Sequence, residues 1–371
     1  MKTILVTGSN GFIGKNLIVS LKRKEDIQII EYDLESPENI LEEGLAKADL
    51  IYHLAGVNRP KRVEEFTEGN VDLINQICET LKKLNRKPQI ILSSSTQATL
   101  DNPYGLSKRQ AEEVLLNFSK TTGTSAFIFR LNGVFGKWCK PNYNSVVATF
   151  CNNIARNLPI SISEPKKEIE LIYIDDVIRT FIDIIDNNFP ASDGAYFTVK
   201  PAYQIGLGEL AEMIQGFHDS RETLELQEMG NSFTRALYGT YISYLPKDSF
   251  SYDLTKNSDS RGDLAELLKS ISIGQIFVSR TRPGFTRGNH YHNTKVEKFV
   301  VLEGDAIIRF RHILEKDIIE YPVSGYEFRV VDIPPGYTHS IENIGSNDLI
   351  VLFWADEIFD PDIPDTIGLT V

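Results

Sequence analysis

Over the first two hundred residues, short runs of β-branched and aliphatic side chains alternate with longer stretches whose apolar residues recur three and four positions apart. The first pattern suits buried strands and the second suits amphipathic helices. Together they predict strands over residues 3–7, 28–32, 50–54, 89–93 and 126–131, with helices over 12–24, 71–84 and 107–118. Such alternation builds βαβ units around a doubly wound parallel α/β sheet. Beyond about residue 270 the texture changes to short strands, over 277–281, 298–302, 306–310, 328–333 and 348–354, set apart by Gly, Pro or Asn. That spacing predicts an all-β antiparallel sandwich or barrel. Residues 221–260 have mixed polarity, so domains are expected over 1–245 and 252–371.

Composition narrows what these domains do. A chain of 371 residues exceeds one ordinary compact core, in line with two domains. The net charge of -12 argues against a general nucleic-acid binder, whose footprint is basic. An anionic substrate would have to be attracted by local arginines against this field. No run approaches the ~20 apolar residues of a membrane span, and the opening Met1-Lys2-Thr3-Ile4-Leu5-Val6 has no signal-peptide character. Cys78, Cys139 and Cys151 are too few and too scattered for a disulfide framework, so the expected compartment is the reducing cytoplasm.

Chemistry enters at the first strand-to-helix junction, Thr7-Gly8-Ser9-Asn10-Gly11-Phe12-Ile13-Gly14. Small residues there let the backbone approach a pyrophosphate, and the helix N-terminus favours its charge. The second strand ends at Asp33, placed to accept hydrogen bonds from an adenosine ribose, which by itself favours NAD over NADP. Tyr104 and Lys108 share one helical face. A lysine so placed can lower the phenol pKa and bind the nicotinamide ribose, while the phenol exchanges a proton with a substrate oxygen. The preceding strand ends Ser93-Ser94-Ser95, whose hydroxyls can hold a carbonyl.

These features, with His53-Leu54-Ala55-Gly56, Asn70-Val71, Arg130 through Gly136 and Tyr173-Ile174-Asp175-Asp176-Val177, resemble the extended short-chain dehydrogenase/reductase family over about residues 1–240. The resemblance implies a Rossmann-type domain in which Tyr104 and Lys108 are catalytic. Its catalytic hydroxyl falls on Ser95, with Ser94 the register-shifted alternative. Gly8, Ser9, Asn10, Gly11, Phe12, Ile13, Gly14, Asp33, Leu54, Ala55 and Lys108 would bind the cofactor. His53 is read as a packed core residue. Sugar-nucleotide 4,6-dehydratases of the family carry an acidic pair after the catalytic hydroxyl, where this chain has Thr96-Gln97, which disfavours dehydration.

In the β-rich part, His290, His292, Glu297 and Gly304, then Pro334, Gly336, His339 and Asn343, match the two cupin motifs in spacing. On a strand His290 and His292 share a face. With Glu297 and His339 they make a donor set suited to Zn(2+), with Fe, Mn, Ni or Co open because ligand type discriminates poorly. Asp259-Ser260-Arg261-Gly262-Asp263-Leu264-Ala265-Glu266 and Arg287-Gly288-Asn289-His290-Tyr291 look like segments of the dTDP-4-keto-6-deoxy-sugar 3,5-epimerases. That likeness makes Arg261 and Arg287 substrate-binding candidates. In those epimerases the histidine matching His290 is the general base, so its use as a ligand leaves the base unassigned. Tyr291 and Tyr337 are the nearest phenols in sequence.

The full-length arrangement is similar to the bifunctional enzymes of capsular polysaccharide biosynthesis. This implies C3 epimerisation of a UDP-linked 4-keto-6-deoxy amino sugar in the cupin domain, NADPH-dependent C4 reduction in the first domain, zinc, a homodimer, and UDP-2-acetamido-2,6-dideoxy-L-talose as product. NADPH stands against the residue-level reading of Asp33, unless the carboxylate turns aside near Lys15 or Arg59, and NADH remains the alternative. A single-activity reductase with a non-catalytic cupin and an NAD-retaining sugar-nucleotide 4-epimerase are the competing expectations.

Overall fold

In the computed structural model, which describes residues 1–186 and 195–371, the chain divides into two compact units. The first comprises Met1–Ile214 and Arg235–Pro246; the second comprises Gln215–Thr234 and Lys247–Val371.

In the first unit, strands β1 (Lys2–Thr7), β2 (Ile27–Tyr32), β3 (Leu50–His53), β4 (Gln89–Ser95) and β5 (Ala126–Leu131) lie parallel in the order β2-β1-β3-β4-β5, extended by Tyr196–Phe197. Residues of β1, β3 and β4 such as Ile4, Leu50 and Ile91 are wholly buried, because helices cover both faces of the sheet. The order reverses between β1 and β3, and in such sheets ligands bind in the crevice beyond the strand ends at that reversal.

Helices run longer or shorter than periodicity predicts, for local reasons. The first, Phe12–Leu21, stops three residues early. The helix Pro103–Thr122 starts four residues before its expected position, because Asn102 Oδ1 accepts the Gly105 N–H at 2.8 Å and Pro103 suits the first turn. Gly123, at φ +76°, ends it. The helix expected from residue 71 is α-helical over Leu73–Lys83, preceded by a π turn at Glu68–Asp72.

The second unit holds two antiparallel sheets. One carries Lys256–Asp259, Gly262–Ser270, Gly274–Thr281, Leu349–Ala355, Glu297–Glu303 and Val330–Ile333; the other carries Ile318–Ser324, Asp305–His312, Tyr337–Asn343, Thr286–Tyr291 and Ile367–Gly368. This is the cupin-type barrel. Alternation along Asp305–His312 sends Ala306, Ile308 and Phe310 into a core with Phe299, Val301, Ile341 and Val351. Fully burying a Phe or Ile contributes about 1.5–3 kcal/mol, so this inner layer dominates the unit's stability. The strand expected over 328–333 begins at Val330, because Phe328 takes φ 45°, outside strand geometry.

Candidate functional site

The glycines after β1 are needed where they stand. Gly8 has φ +71°, and a Cβ on it would lie 2.6 Å from the Ala55 amide nitrogen; a Cβ on Gly14 would lie 2.2 Å from the Gly8 carbonyl oxygen. The main chain therefore passes close beside the end of β3 and leaves open space in front. Gly8, Asn10, Gly11, Phe12, Ile13, Gly14 and Leu54 face a cavity of about 900 Å³. Ser9, Ala55 and Asp33 do not line it. One Asp33 carboxylate oxygen accepts the Asn10 N–H at 2.7 Å and the other accepts the Leu34 N–H at 2.8 Å, so the side chain is turned onto the glycine loop.

Ser95, Tyr104 and Lys108 line the same cavity. Burial raises the Tyr104 pKa above its ordinary value, and a hydrogen bond with Ser95 opposes the rise. The phenol is therefore protonated at neutral pH. Lys108, expected to lower the phenol pKa, is not among the groups that shift it: its ammonium lies 6.0 Å from the centre of the Tyr104 ring and donates to the Ser93 carbonyl at 3.3 Å. Burial takes Lys108 itself down to about 8, and Glu112 resists the fall.

Glu112 was not marked by the motif, although it lies one helical turn beyond Lys108. It is fully buried, accepts Arg130 Nε at 3.0 Å and Nη2 at 2.6 Å, and accepts the Ser94 hydroxyl at 2.5 Å. Ser94 and Ser95 both line the cavity; the Ser94 hydroxyl donates to Glu112, whereas the Ser95 hydroxyl is hydrogen-bonded with the Tyr104 phenol and accepts the Gln97 N–H at 3.2 Å. His53 is buried, its Nδ1 lies 2.8 Å from Thr7 Oγ1, and burial with the nearby Lys108 charge brings it down to about 3, so it is neutral.

In the second unit, one potential ligand atom from each of His290, His292, Glu297 and His339 lies within 4.8 Å of all the others. Gly288 (φ +90°) and Asn289 (φ 59°) form a bulge in the strand bearing His290, and Gly288 in addition has the His339 carbonyl oxygen 2.7 Å from where a Cβ would be. Glu297 Oε2 lies 3.4 Å from His292 Nε2 and 3.5 Å from His339 Nε2. A tetrahedral ion with bonds of about 2.1 Å separates its ligands by about 3.4 Å. Among the described residues, His292 Nε2 and His339 Nε2 are buried with no hydrogen-bond partner, which an ion would supply; His339 Nδ1 is likewise buried with no partner. Burial, with the neighbouring His339 and His292, lowers His290 to about 4, leaving it neutral and able to ligate. Burial opposes ionisation of Glu297, yet His292 and His339 hold its carboxyl well below the usual range. The residues fit a borderline divalent cation.

This donor set, Arg261 and Arg287 line a second cavity of about 550 Å³, with Phe277, Phe299 and Phe353 on its walls. Arg261 pairs with Asp259 through Nε at 2.9 Å and Nη2 at 2.5 Å. Arg287 Nη2 stands 3.9 Å from the same carboxyl group, and its Nε donates to Thr281 Oγ1 at 3.0 Å. One carboxylate thus serves two guanidiniums. Tyr291 and Tyr337 do not line it. Lys295, Glu266 and Glu357, which sequence reasoning did not mark as site residues, do.

Residues 4–199 match the NAD dependent epimerase/dehydratase family, and residues 257–367 match the polysaccharide biosynthesis C-terminal domain. A UDP-2-acetamido-2,6-beta-L-arabino-hexul-4-ose reductase of Pseudomonas aeruginosa is 46% identical over 99% of this chain and 98% of its own. The crystal structure of the capsular polysaccharide assembling protein CapF from Staphylococcus aureus superposes with a TM-score of 0.93 at 46% identity, covering 99% of this chain and 100% of that one. A UDP-glucuronic acid 4-epimerase from Bacillus cereus in complex with NAD shares the fold at a TM-score of 0.56 and 18% identity, over 65% of this chain and 96% of that one. Among the described residues no helix is long and apolar enough to cross a membrane.

Proposed function

Because the chain belongs to the NAD dependent epimerase/dehydratase family and carries the polysaccharide biosynthesis C-terminal domain, we propose that it is a bifunctional nucleotide-sugar enzyme of capsular polysaccharide biosynthesis. Its cupin domain epimerises C3 of a UDP-linked 4-keto-6-deoxy-N-acetylhexosamine, and its first domain reduces C4 with NADPH to UDP-2-acetamido-2,6-dideoxy-L-talose. The observation that carries this reading is the pairing of two distinct sites in one chain: Ser95, Tyr104 and Lys108 beside a dinucleotide loop, and a three-histidine, one-carboxylate set beside two arginines. The full-length likeness to a 4-ulose reductase supports the substrate class.

One ketone serves both reactions. A C4 carbonyl acidifies the C3 proton, so removing it from one face and returning it to the other inverts C3. A divalent ion held by His290, His292, Glu297 and His339 would supply charge stabilisation for the enolate. Arg261 and Arg287 attract the diphosphate, against an overall charge of -12 that repels it. In the first domain the Gly8–Gly14 loop would hold the pyrophosphate of NADPH, whose nicotinamide supplies the hydride. Ser95 holds the C4 oxygen, Tyr104 delivers the proton that the oxygen gains, and Lys108 provides positive charge beside them. Asp33 leaves room for the 2′-phosphate by spending its carboxylate on the Asn10 and Leu34 amides.

NADPH bearing deuterium at the transferred position tests the reduction. The reading expects deuterium at C4 of a talo-configured sugar. Turnover that needs no added reductant, in protein purified with bound NAD, would instead mark a 4-epimerase and overturn it.

A further inference from the structure

The segment Asp365–Val371 wraps against the strands that carry the histidines. Gly368 pairs with His290 and Ile367 with Tyr291 as a short antiparallel addition to the sheet. The Leu369 N–H donates to the Asn289 carbonyl at 2.9 Å, and the hydroxyl of Thr338, next to His339, donates to the Leu369 carbonyl. The densest contacts belong to Asp365. Its carboxylate accepts the backbone N–H groups of Asn293, Thr294 and Lys295 at 2.8, 2.8 and 2.9 Å, and the Thr294 hydroxyl at 3.0 Å. Its main-chain carbonyl is hydrogen-bonded to His292 Nδ1.

We propose that Asp365–Val371 is a clasp that sets the geometry of the histidine and glutamate donor set, in which the Asp365 main-chain carbonyl fixes the tautomer of His292 and its carboxylate, the positioning group that the substitutions below remove or neutralise, fixes the path from His292 to Glu297. This rests on the reading that the set holds a divalent ion. A carbonyl oxygen only accepts, so Nδ1 of His292 must carry the ring proton. In the neutral ring the lone pair then resides on Nε2, a buried nitrogen with no hydrogen-bond partner among the described residues and 3.4 Å from Glu297. The same residue fixes the loop to Glu297: three consecutive amides converge on one carboxylate, so the two ligands cannot drift apart without breaking charge-assisted hydrogen bonds. Lys295 Nζ adds a tie to Thr366 Oγ1 at 3.1 Å. Groups that orient a metal-bound histidine typically matter by about 10–100-fold in metal affinity.

The test uses full-length protein stripped of metal, as wild type, Asp365→Ala and Asp365→Asn. Zinc affinity is read by competition with a chromophoric chelator, and donor geometry by the visible absorption of the Co(2+)-loaded protein. Asp365→Ala is expected to bind zinc about 10–100-fold more weakly and to show altered Co(2+) bands, with Asp365→Asn intermediate and NADPH binding unchanged. If Asp365→Ala does not fold, as judged by circular dichroism of the metal-free protein, Asp365→Asn decides by the same criteria. Wild-type affinity and an unchanged Co(2+) spectrum in the deciding variant would overturn the clasp while leaving the metal site standing. A wild-type protein that binds neither zinc nor Co(2+) saturably would overturn the metal reading itself, and the clasp with it.

Discussion

Glu112→Gln separates the support of the reductase site from its chemistry. The substitution keeps the volume and one acceptor oxygen but removes the charge that Arg130 grips with two hydrogen bonds. Breaking a buried pair costs about 3–5 kcal/mol. The Arg130 side chain is 29% exposed against 1% for Glu112, so water recovers part of the loss and about 2 kcal/mol is expected. For a domain of this size that lowers Tm by roughly 4–8 °C. The larger consequence is electrostatic. Burial already brings Lys108 down to about 8, and Glu112 is the group that resists it. Without the carboxylate, and with Arg130 left uncompensated, the Lys108 pKa falls further. An amine with a lower pKa loses its proton at lower pH, so reduction that depends on the ammonium must fail earlier on the alkaline side. The assay is kcat/KM for NADPH oxidation with the 4-keto sugar across pH 6–9, in wild type and variant. An alkaline limb displaced to lower pH in Glu112→Gln agrees with the reasoning; a limb that stays in place or moves up refutes it.

Tyr104→Phe removes only the phenolic oxygen and should cost about 10²–10⁴-fold in kcat for reduction, measured by NADPH absorbance, while exchange of the C3 proton persists. Loss of exchange as well would show that the two sites are not independent. Gly14→Ala forces a Cβ to within 2.2 Å of the Gly8 carbonyl oxygen, and the displaced loop should weaken NADPH binding by about tenfold or more in calorimetry; an unchanged affinity would remove the loop from the cofactor site. The turn of Asp33 onto the Asn10 amide predicts a higher kcat/KM with NADPH than with NADH, and a clear preference for NADH would restore the plain reading of an acidic strand end.

The fold was legible wherever a single physical rule dominates. Strands β1 to β5 announce themselves as apolar runs because both faces of the sheet are covered, and the change of texture beyond residue 270 reflects side chains alternating between core and solvent. Helices such as Glu38–Lys47 and Ser232–Ile242 were not among the predicted elements, although Glu38–Lys47 buries Leu41, Gly44 and Leu45 on one face. The glycine loop, Tyr104 with Lys108, and the histidine spacings could be read because each is local in sequence. Glu112 and Arg130 were harder: their pairing joins a helix to a strand 18 positions away, and only the interval from Lys108 hinted at the carboxylate. Asp365 gave no signal at all, since its partners lie 70–73 residues earlier and it belongs to no motif. Ser94 and Ser95 are equivalent in the sequence, and only the fold sets the Ser94 hydroxyl on Glu112 and the Ser95 hydroxyl beside Tyr104.

Two coupled activities in one chain remain the central claim, and solvent exchange addresses it most directly. The UDP-linked 4-keto-6-deoxy-N-acetylhexosamine is incubated with the enzyme in D2O and followed by NMR before and after NADPH is added. Deuterium appearing at C3 without reductant, followed by a C4-reduced sugar once NADPH is present, is the predicted result. Reduction with no deuterium at C3 would contradict the account and leave the cupin domain as a binding or assembly module.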